Sequence, residues 1–247
     1  MNKYFNIKLE LDPAEVDRVI ERSILEGNKG YVCSVERNVM ATANSSIEFQ
    51  NIVNSALINI CDGNFVAKCI GIAHRKKFIT YIGADLFVKY VKKGTYKQYF
   101  LGNTQEVLNG LKNNLRQWDD KIDTMSFKTL PFKKVEDFNY EKIAIAINKS
   151  NPDIIWVSLG APKQEYFMNK LLPFLDKGVL FGFGAIFNFY SGDKSFKRAP
   201  KIFLKLHLEW LYRMTQEPKK NFQRNWSFLK MAPSLIIEER RKIKNKK

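Results

Sequence analysis

Reactive side chains in this chain cluster at the ends of short apolar runs. "NICDGN" closes on Asp62-Gly63, "YIGADLF" carries Gly83 and Asp85, and "YFLGN" carries Gly102 and Asn103. "WVSLGAPKQEYFMNK" supplies Gly160, Ala161, Pro162, Gln164 and Glu165, while "FGFGAIFN" supplies Gly184 and Asn188. Asp62 is the candidate for general-base work. A carboxylate with apolar residues before it and glycine after it can have its pKa raised by desolvation. The same Asp-Gly pair also reads as an ordinary turn. Asp85 serves equally as a helix cap for "LFVKYVKK", and Gln164 and Glu165 serve equally as first-turn residues favoured by the helix dipole. Glycine at such ends lets a ligand approach the backbone, and each following helix offers amides to phosphate. The chain contains neither a GxGxxG nor a Walker sequence, so any nucleotide is held by an unusual set of loops.

These ends matter only if the runs are strands of one sheet. "KGYVCSV", "ALINICDG", "KFITYIGA", "QYFLGN", "DIIWVSLG" and "GVLFGFGAIF" are rich in β-branched and aromatic residues, as buried parallel strands are. Amphipathic segments lie between them. In "NTQEVLNGLKNNLRQW", Val107, Leu108, Leu111 and Leu115 recur at helical spacing behind Asn103 and Thr104 as caps. Strand and helix in alternation predict an α/β, Rossmann-like, mostly parallel sheet over residues 1–193, with ligands at the carboxyl ends of its strands. The 247 residues are 45% apolar and 13% aromatic, enough for a substantial core. Three cysteines without metal-type spacing fit a reducing compartment, and two distant histidines make a zinc site unexpected. The first residues contain no continuous apolar stretch of signal-peptide kind, and the longest apolar run is about half a membrane span.

The charge is lopsided. Residues 194–247 hold sixteen Lys or Arg against four Glu, a net of +12 out of the chain's +16. "PKIFLKLHLEWLYRMTQEP" sets Ile202, Phe203, Leu206, Trp210 and Met214 on one helical stripe, and "KKNFQRNWSFLKMAPSLIIEERRKIKNKK" mixes Phe222, Trp226 and Phe228 with cations. The region reads as a basic helical appendage of two or three helices, broken at Pro218 and Pro233. Such a segment suits nucleic acid, an anionic membrane or plain solubility. Its aromatic and cationic composition favours the membrane surface for the second segment, while the first stripe fits equally well packed on the sheet. The expected lipid contacts are Trp210, Phe222, Trp226, Phe228, Lys242, Lys244, Lys246 and Lys247.

Taken in order along the chain, "CDGN", "IGADLF", "YFLGN", "INKSNPDIIWVSLGAPKQE" and "GFGAIFNFYSG" with "KRAP" and "LEWLYRMTQEP" resemble the motifs of the WecG/TagA/CpsF family of bacterial glycosyltransferases. The resemblance implies an inverting transfer of a sugar, N-acetylmannosamine or a related hexose, from a UDP-sugar to a polyprenyl-diphosphate-linked acceptor. It implies a Rossmann-like fold with a membrane-docking appendage, at the inner face of the plasma membrane. It assigns Asp62 as general base and places Gly63, Gly83, Asp85, Gly102, Asn103, Gly160, Ala161, Pro162, Gln164, Glu165 and Gly184 around the donor, with Gln164 hydrogen-bonding nucleotide or sugar. Arg213 and Arg224 match family positions and would balance the charge on leaving UDP; no acidic pair with metal-binding spacing stands out, so neither metal nor other cofactor is expected.

The chain also departs from the family pattern. Where the family has Thr-x-Asn, Ser34-Val35-Glu36 stands, with Asn38 near enough to substitute. Thr80 replaces an arginine, Asn64 a glycine and Asn188 an aspartate. These changes surround the donor pocket and leave the sugar open. The competing readings are a basic α/β protein whose tail holds nucleic acid, and a silent paralogue that keeps the fold.

Overall fold

The computed structural model describes residues 1–192 and 218–245, without the side chains of residues 218–225. A short antiparallel hairpin, β1 (Asn2–Tyr4) and β2 (Ile7–Leu9), leads into α1 (Pro13–Leu25). Then come β3 (Lys29–Val35), α2 (Arg37–Ser45), α3 (Ile47–Asn54), β4 (Ile58–Cys61) and α4 (Asn64–His74). Next are α5 (Gly83–Lys93), β5 (Gln98–Gly102), α6 (Gln105–Leu115), β6 (Ser126–Lys128) and α7 (Tyr140–Ser150). β7 (Ile154–Ser158), α8 (Lys163–Leu171), β8 (Gly178–Gly182) and α9 (Ile186–Tyr190) complete the sheet region, and α10 spans Pro218–Lys244.

The six strands β3 to β8 form one parallel sheet in the order β4-β3-β8-β7-β5-β6. The α/β, Rossmann-like class expected from the alternating pattern is the fold observed. Strand side chains alternate between two cores, as period-2 geometry requires. Tyr31, Cys33, Val35, Ile155 and Val157 face α2, α3, α4 and α8, while Val32, Ile154 and Trp156 face α1, α5 and α6. Trp156 is fully buried and its indole Nε1 donates to Gln98 Oε1 at 2.7 Å, so its one polar atom is satisfied.

Three local expectations are corrected. "KFITYIGA" is not a strand, because the outer edge of β4 is already taken: Glu10 bridges Ile60 in parallel and its N–H donates to the Asn59 carbonyl. Tyr81 N instead reaches the carbonyl of Cys61, at the end of β4, at 3.1 Å. Pro233 does not break the last helix. It lies on the exposed face of α10, while Phe228, Ala232, Leu235 and Glu239 are buried along the opposite face. Packing of that face offsets the roughly 3 kcal/mol that an interior proline costs.

Phe228 is therefore not a lipid contact. It is fully buried, edge-on to Phe65 with ring centroids 5.9 Å apart, in the core shared with α2 and α4. Further along α10, Glu239 accepts from Phe5 N at 3.2 Å and pairs with His74 Nε2 at 3.0 Å. Arg240 donates to the Ile72 carbonyl and Lys242 Nζ to Asn6 Oδ1. The described part of the basic segment is thus packed along the helices that follow β3 and β4. No helix among the described residues is long and apolar enough to cross a membrane.

Candidate functional site

Because every strand of the sheet is parallel, all its carboxyl ends open on one edge, and the suspects converge there. Ser34, the penultimate residue of β3, donates its hydroxyl to Asp62 Oδ2 at 2.5 Å. Ser34 is buried, and Asp62 follows directly on β4. Gly83 opens α5 against this pair: a Cβ there would stand 3.1 Å from Asp62 Oδ2 and 3.3 Å from the Phe183 ring. Ser158, ending β7, donates to the Gly184 carbonyl at 2.7 Å. Asn103, just past β5, donates to Ser158 Oγ and to Asn188 Oδ1 at 3.2 and 2.9 Å. One continuous lip therefore runs from β3 and β4 across β8 to β7 and β5.

Two glycine positions show why the ends read as they do. Gly63 and Gly160 have φ of +113° and +76°, and a Cβ on either would meet nothing within 4 Å. Backbone there is strained for any other residue and open to a ligand. Gly184 has the opposite reason: its Cβ would lie 2.5 Å from Gly160 N, so the β7 and β8 loops touch backbone to backbone. Ala161-Pro162, joined by a cis bond, completes the turn into α8.

Four of the helices that begin at this lip share a second property. α2, α4, α5 and α8 all begin without a side-chain cap, at Glu36, Gly63, Ile82 and Pro162. Helices α1, α3, α6 and α7 are capped in the usual way by Asp12, Ser46, Thr104 and Asn139. Uncapped first turns converging on one edge present amides and the positive ends of helix dipoles, which suits an anion such as a diphosphate.

Gln164 and Glu165 are placed differently from one another. Gln164 lies at the lip, yet its amide is committed: Nε2 donates to the Gly182 carbonyl at 2.7 Å and to Glu165 Oε1 at 3.0 Å. Its Oε1 accepts from Gly184 N at 3.0 Å. Both amide protons are used, so Gln164 shapes the turn after β8 rather than presenting a free donor. Glu165 is fully buried, and its Oε2 has no hydrogen-bond partner. Burial pushes its carboxyl up to about 7, against the lowering effect of the Gln164 bond.

Asp85 is exposed in the first turn of α5, where the dipole favours it. Asn38 is half-buried in α2, and no hydrogen bond joins its side chain to Asp62 among the described residues. Two of the departing residues meet each other: Thr80 Oγ1 donates to Asn64 Oδ1 at 3.2 Å. Two residues at the lip were not among those expected from the sequence: Phe183, which packs on Gly83, and Arg37, whose guanidinium lies 5.8 Å from the centroid of Phe65 in the first turn of α4. An "ERN" triplet directly after a strand was the available signal for Arg37. Burial pushes the neighbouring Cys61 thiol up to about 12 and raises that of Cys33, so both cysteines are neutral wall residues. Among the described residues no three His, Cys, Asp or Glu side chains gather as a metal site.

Arg213 and Trp210 lie outside the described residues, as do Lys246 and Lys247, and the side chains of Phe222 and Arg224 also fall outside them. Trp226 is half exposed on α10 with Lys230 Nζ 5.4 Å from its ring centroid, and Lys242 and Lys244 are exposed.

The geometry can be set beside known proteins. Residues 3–246 match the model of the Glycosyl transferase WecG/TagA/CpsF family. A relative from Bacillus spizizenii, N-acetylglucosaminyldiphosphoundecaprenol N-acetyl-beta-D-mannosaminyltransferase, is 27% identical over 232 residues, covering 91% of this chain and 86% of the relative. A family match over almost the whole length, on a sheet whose strand ends carry the family's motifs, means that this chain belongs to the WecG/TagA/CpsF family and is a glycosyltransferase.

Proposed function

We propose that the chain moves N-acetylmannosamine or a related hexose from a UDP-sugar to a sugar carried on a polyprenyl diphosphate, with inversion, in the synthesis of a bacterial surface polysaccharide. The observation that carries this reading is Asp62, held by Ser34 at 2.5 Å beside the open backbone of Gly63. The relative's name, which specifies a mannosaminyl group and a diphosphoundecaprenol-linked acceptor, supports the substrate classes.

In the proposed step the Asp62 carboxylate takes the proton of the acceptor hydroxyl. The freed electron pair attacks the anomeric carbon from the face opposite the nucleotide, and the bond to UDP breaks with its electrons leaving on the diphosphate. Ser34 is a positioning residue, fixing the carboxylate through its hydroxyl. The charge that develops on UDP is met by the uncapped first turns of α4 and α8, joined by Arg213 and Arg224 from the basic segment, without a requirement for metal. Residues 1–193 form the catalytic unit in this reading. Residues 194–247 form the docking appendage at the inner, cytoplasmic face of the membrane, with Trp226 toward lipid, whereas Lys242, bonded to Asn6 beyond the far end of α2, lies toward the opposite edge of the sheet.

The test is UDP release from a panel of UDP-sugars with a short-chain polyprenyl-diphosphate acceptor. One donor should support acceptor-dependent release, and Asp62→Asn should lower turnover a hundredfold or more, about the size of lost general acid–base catalysis. An Asp62→Asn protein with near-normal turnover removes the base assignment; no release with any donor removes the reaction.

A further inference from the structure

The loop after β6 carries a feature that the transfer chemistry leaves unused. Phe132 is the most exposed large apolar side chain among the described residues, at 104% of its reference area. It stands in "KTLPFKK", with Lys128, Lys133 and Lys134 exposed around it. Because β6 runs parallel to the other strands, this loop leaves the same carboxyl edge that carries Asp62.

The loop is built rather than loose. Leu130 packs on the core at its near end, and buried Val135 and Phe138 anchor the far end, with Tyr140 donating its hydroxyl to the Val135 carbonyl at 2.6 Å. Lys163, the first residue of α8 beyond the Gly160-Ala161-Pro162 turn, reaches across. Its Nζ donates to the Lys133 carbonyl and lies 5.2 and 5.4 Å from the ring centroids of Phe132 and Phe138. The projecting tip is thereby fastened to the turn that borders the candidate site.

We infer that residues 130–134 form a lipid-contacting tip: Phe132 enters the interface of an anionic bilayer while Lys128, Lys133, Lys134 and Lys163 meet its phosphates. The inference rests on the lipid-linked acceptor proposed above, because that acceptor requires this edge of the sheet to face the membrane. A lone aromatic ringed by cations fits an interface of acyl chains below and anionic headgroups above. A protein partner would call for a wider apolar patch around the ring. Glu136 and Asp137 are the nearby opposing charges, and they follow Val135, behind the tip. This contact is separate from α10, so the enzyme has two points of attachment and a defined tilt on the surface.

The experiment uses the full chain with Phe132→Cys carrying an environment-sensitive dye; the three native cysteines are buried, so labelling is confined to the tip. Vesicles of phosphatidylcholine with phosphatidylglycerol should blue-shift the dye, and phosphatidylcholine alone should not. Lys133→Gln combined with Lys134→Gln should weaken vesicle partition about tenfold to thirtyfold, from roughly 1 kcal/mol per lysine at an anionic surface. An unshifted dye on sedimented protein overturns the inference and leaves α10 as the attachment; so does protein that does not sediment. A concentration-dependent shift without vesicles also overturns it, by making the tip a contact between copies. UDP release with a water-soluble acceptor is read on the same labelled protein. Normal release with no dye shift refutes the tip alone, whereas a dye shift without release from any donor refutes the reaction alone.

Discussion

Glu165→Gln isolates the cost of a buried carboxyl. In the folded chain this group titrates near 7, against an ordinary value of 4.5, because burial penalises the charged form. The folded state therefore holds a proton that the unfolded state has released throughout the interval between those values. Its stabilising contribution is complete below about pH 4.5 and is lost as pH rises through about 7. Between pH 5 and pH 8 the loss comes to about 2 to 3 kcal/mol, from 1.36 kcal/mol per unit of displacement. Glutamine keeps the shape and cannot ionise, so the variant should lack this slope. Its amide nitrogen would stand where Oε2 finds no partner, adding a pH-independent cost of about 1–3 kcal/mol. The assay is urea unfolding of both proteins at several pH values, read as the difference between their curves. That difference should move in favour of the variant by about 2 to 3 kcal/mol from pH 5 to pH 8. Parallel curves would show that Glu165 is ionised in the folded protein with a partner, and the desolvation argument would fail.

Gln164→Ala leaves the Gly182 carbonyl and the Gly184 amide without their bonds, so it should destabilise the chain by about 2–4 kcal/mol and weaken UDP-sugar binding through the displaced turn. Calorimetry on a folded Gln164→Ala protein with unchanged stability and affinity would contradict that role. Phe228→Ala empties a fully buried site between α10 and α4 and should cost about 3–5 kcal/mol in chemical unfolding. A cost near zero would mean that α10 does not support the core.

Much of this was legible because parallel strands are short apolar runs that stop on turn residues. "KGYVCSV" became β3 to the residue, and Thr104 caps α6 as its spacing behind Leu108 and Leu111 suggested. β6 escaped notice because its three residues, "SFK", make too short a run to show a period, and "KFITYIGA" misled because composition carries no record of whether an edge is free. At the site, residue types picked out Asp62 and its glycines, and the parallel sheet brings Asp62, Gly63 and Gly83 together at one edge. The roles of Gln164 and Phe228 were not readable in that way. Both are set by partners far along the chain, the turn after β8 for one and Phe65 for the other.

The bond from Phe5 N to Glu239 spans 234 positions in sequence. A ribosome adding about 5–20 residues per second needs roughly 10 to 50 s to bring those two groups into existence together. Until then the hairpin and α4 lack the helix that covers them, and apolar groups such as Phe65 have no Phe228 to meet. The nascent chain thus carries an uncovered face beside Asp62 until its last helix is made. During that interval the uncovered apolar groups are open to aggregation and to chaperones.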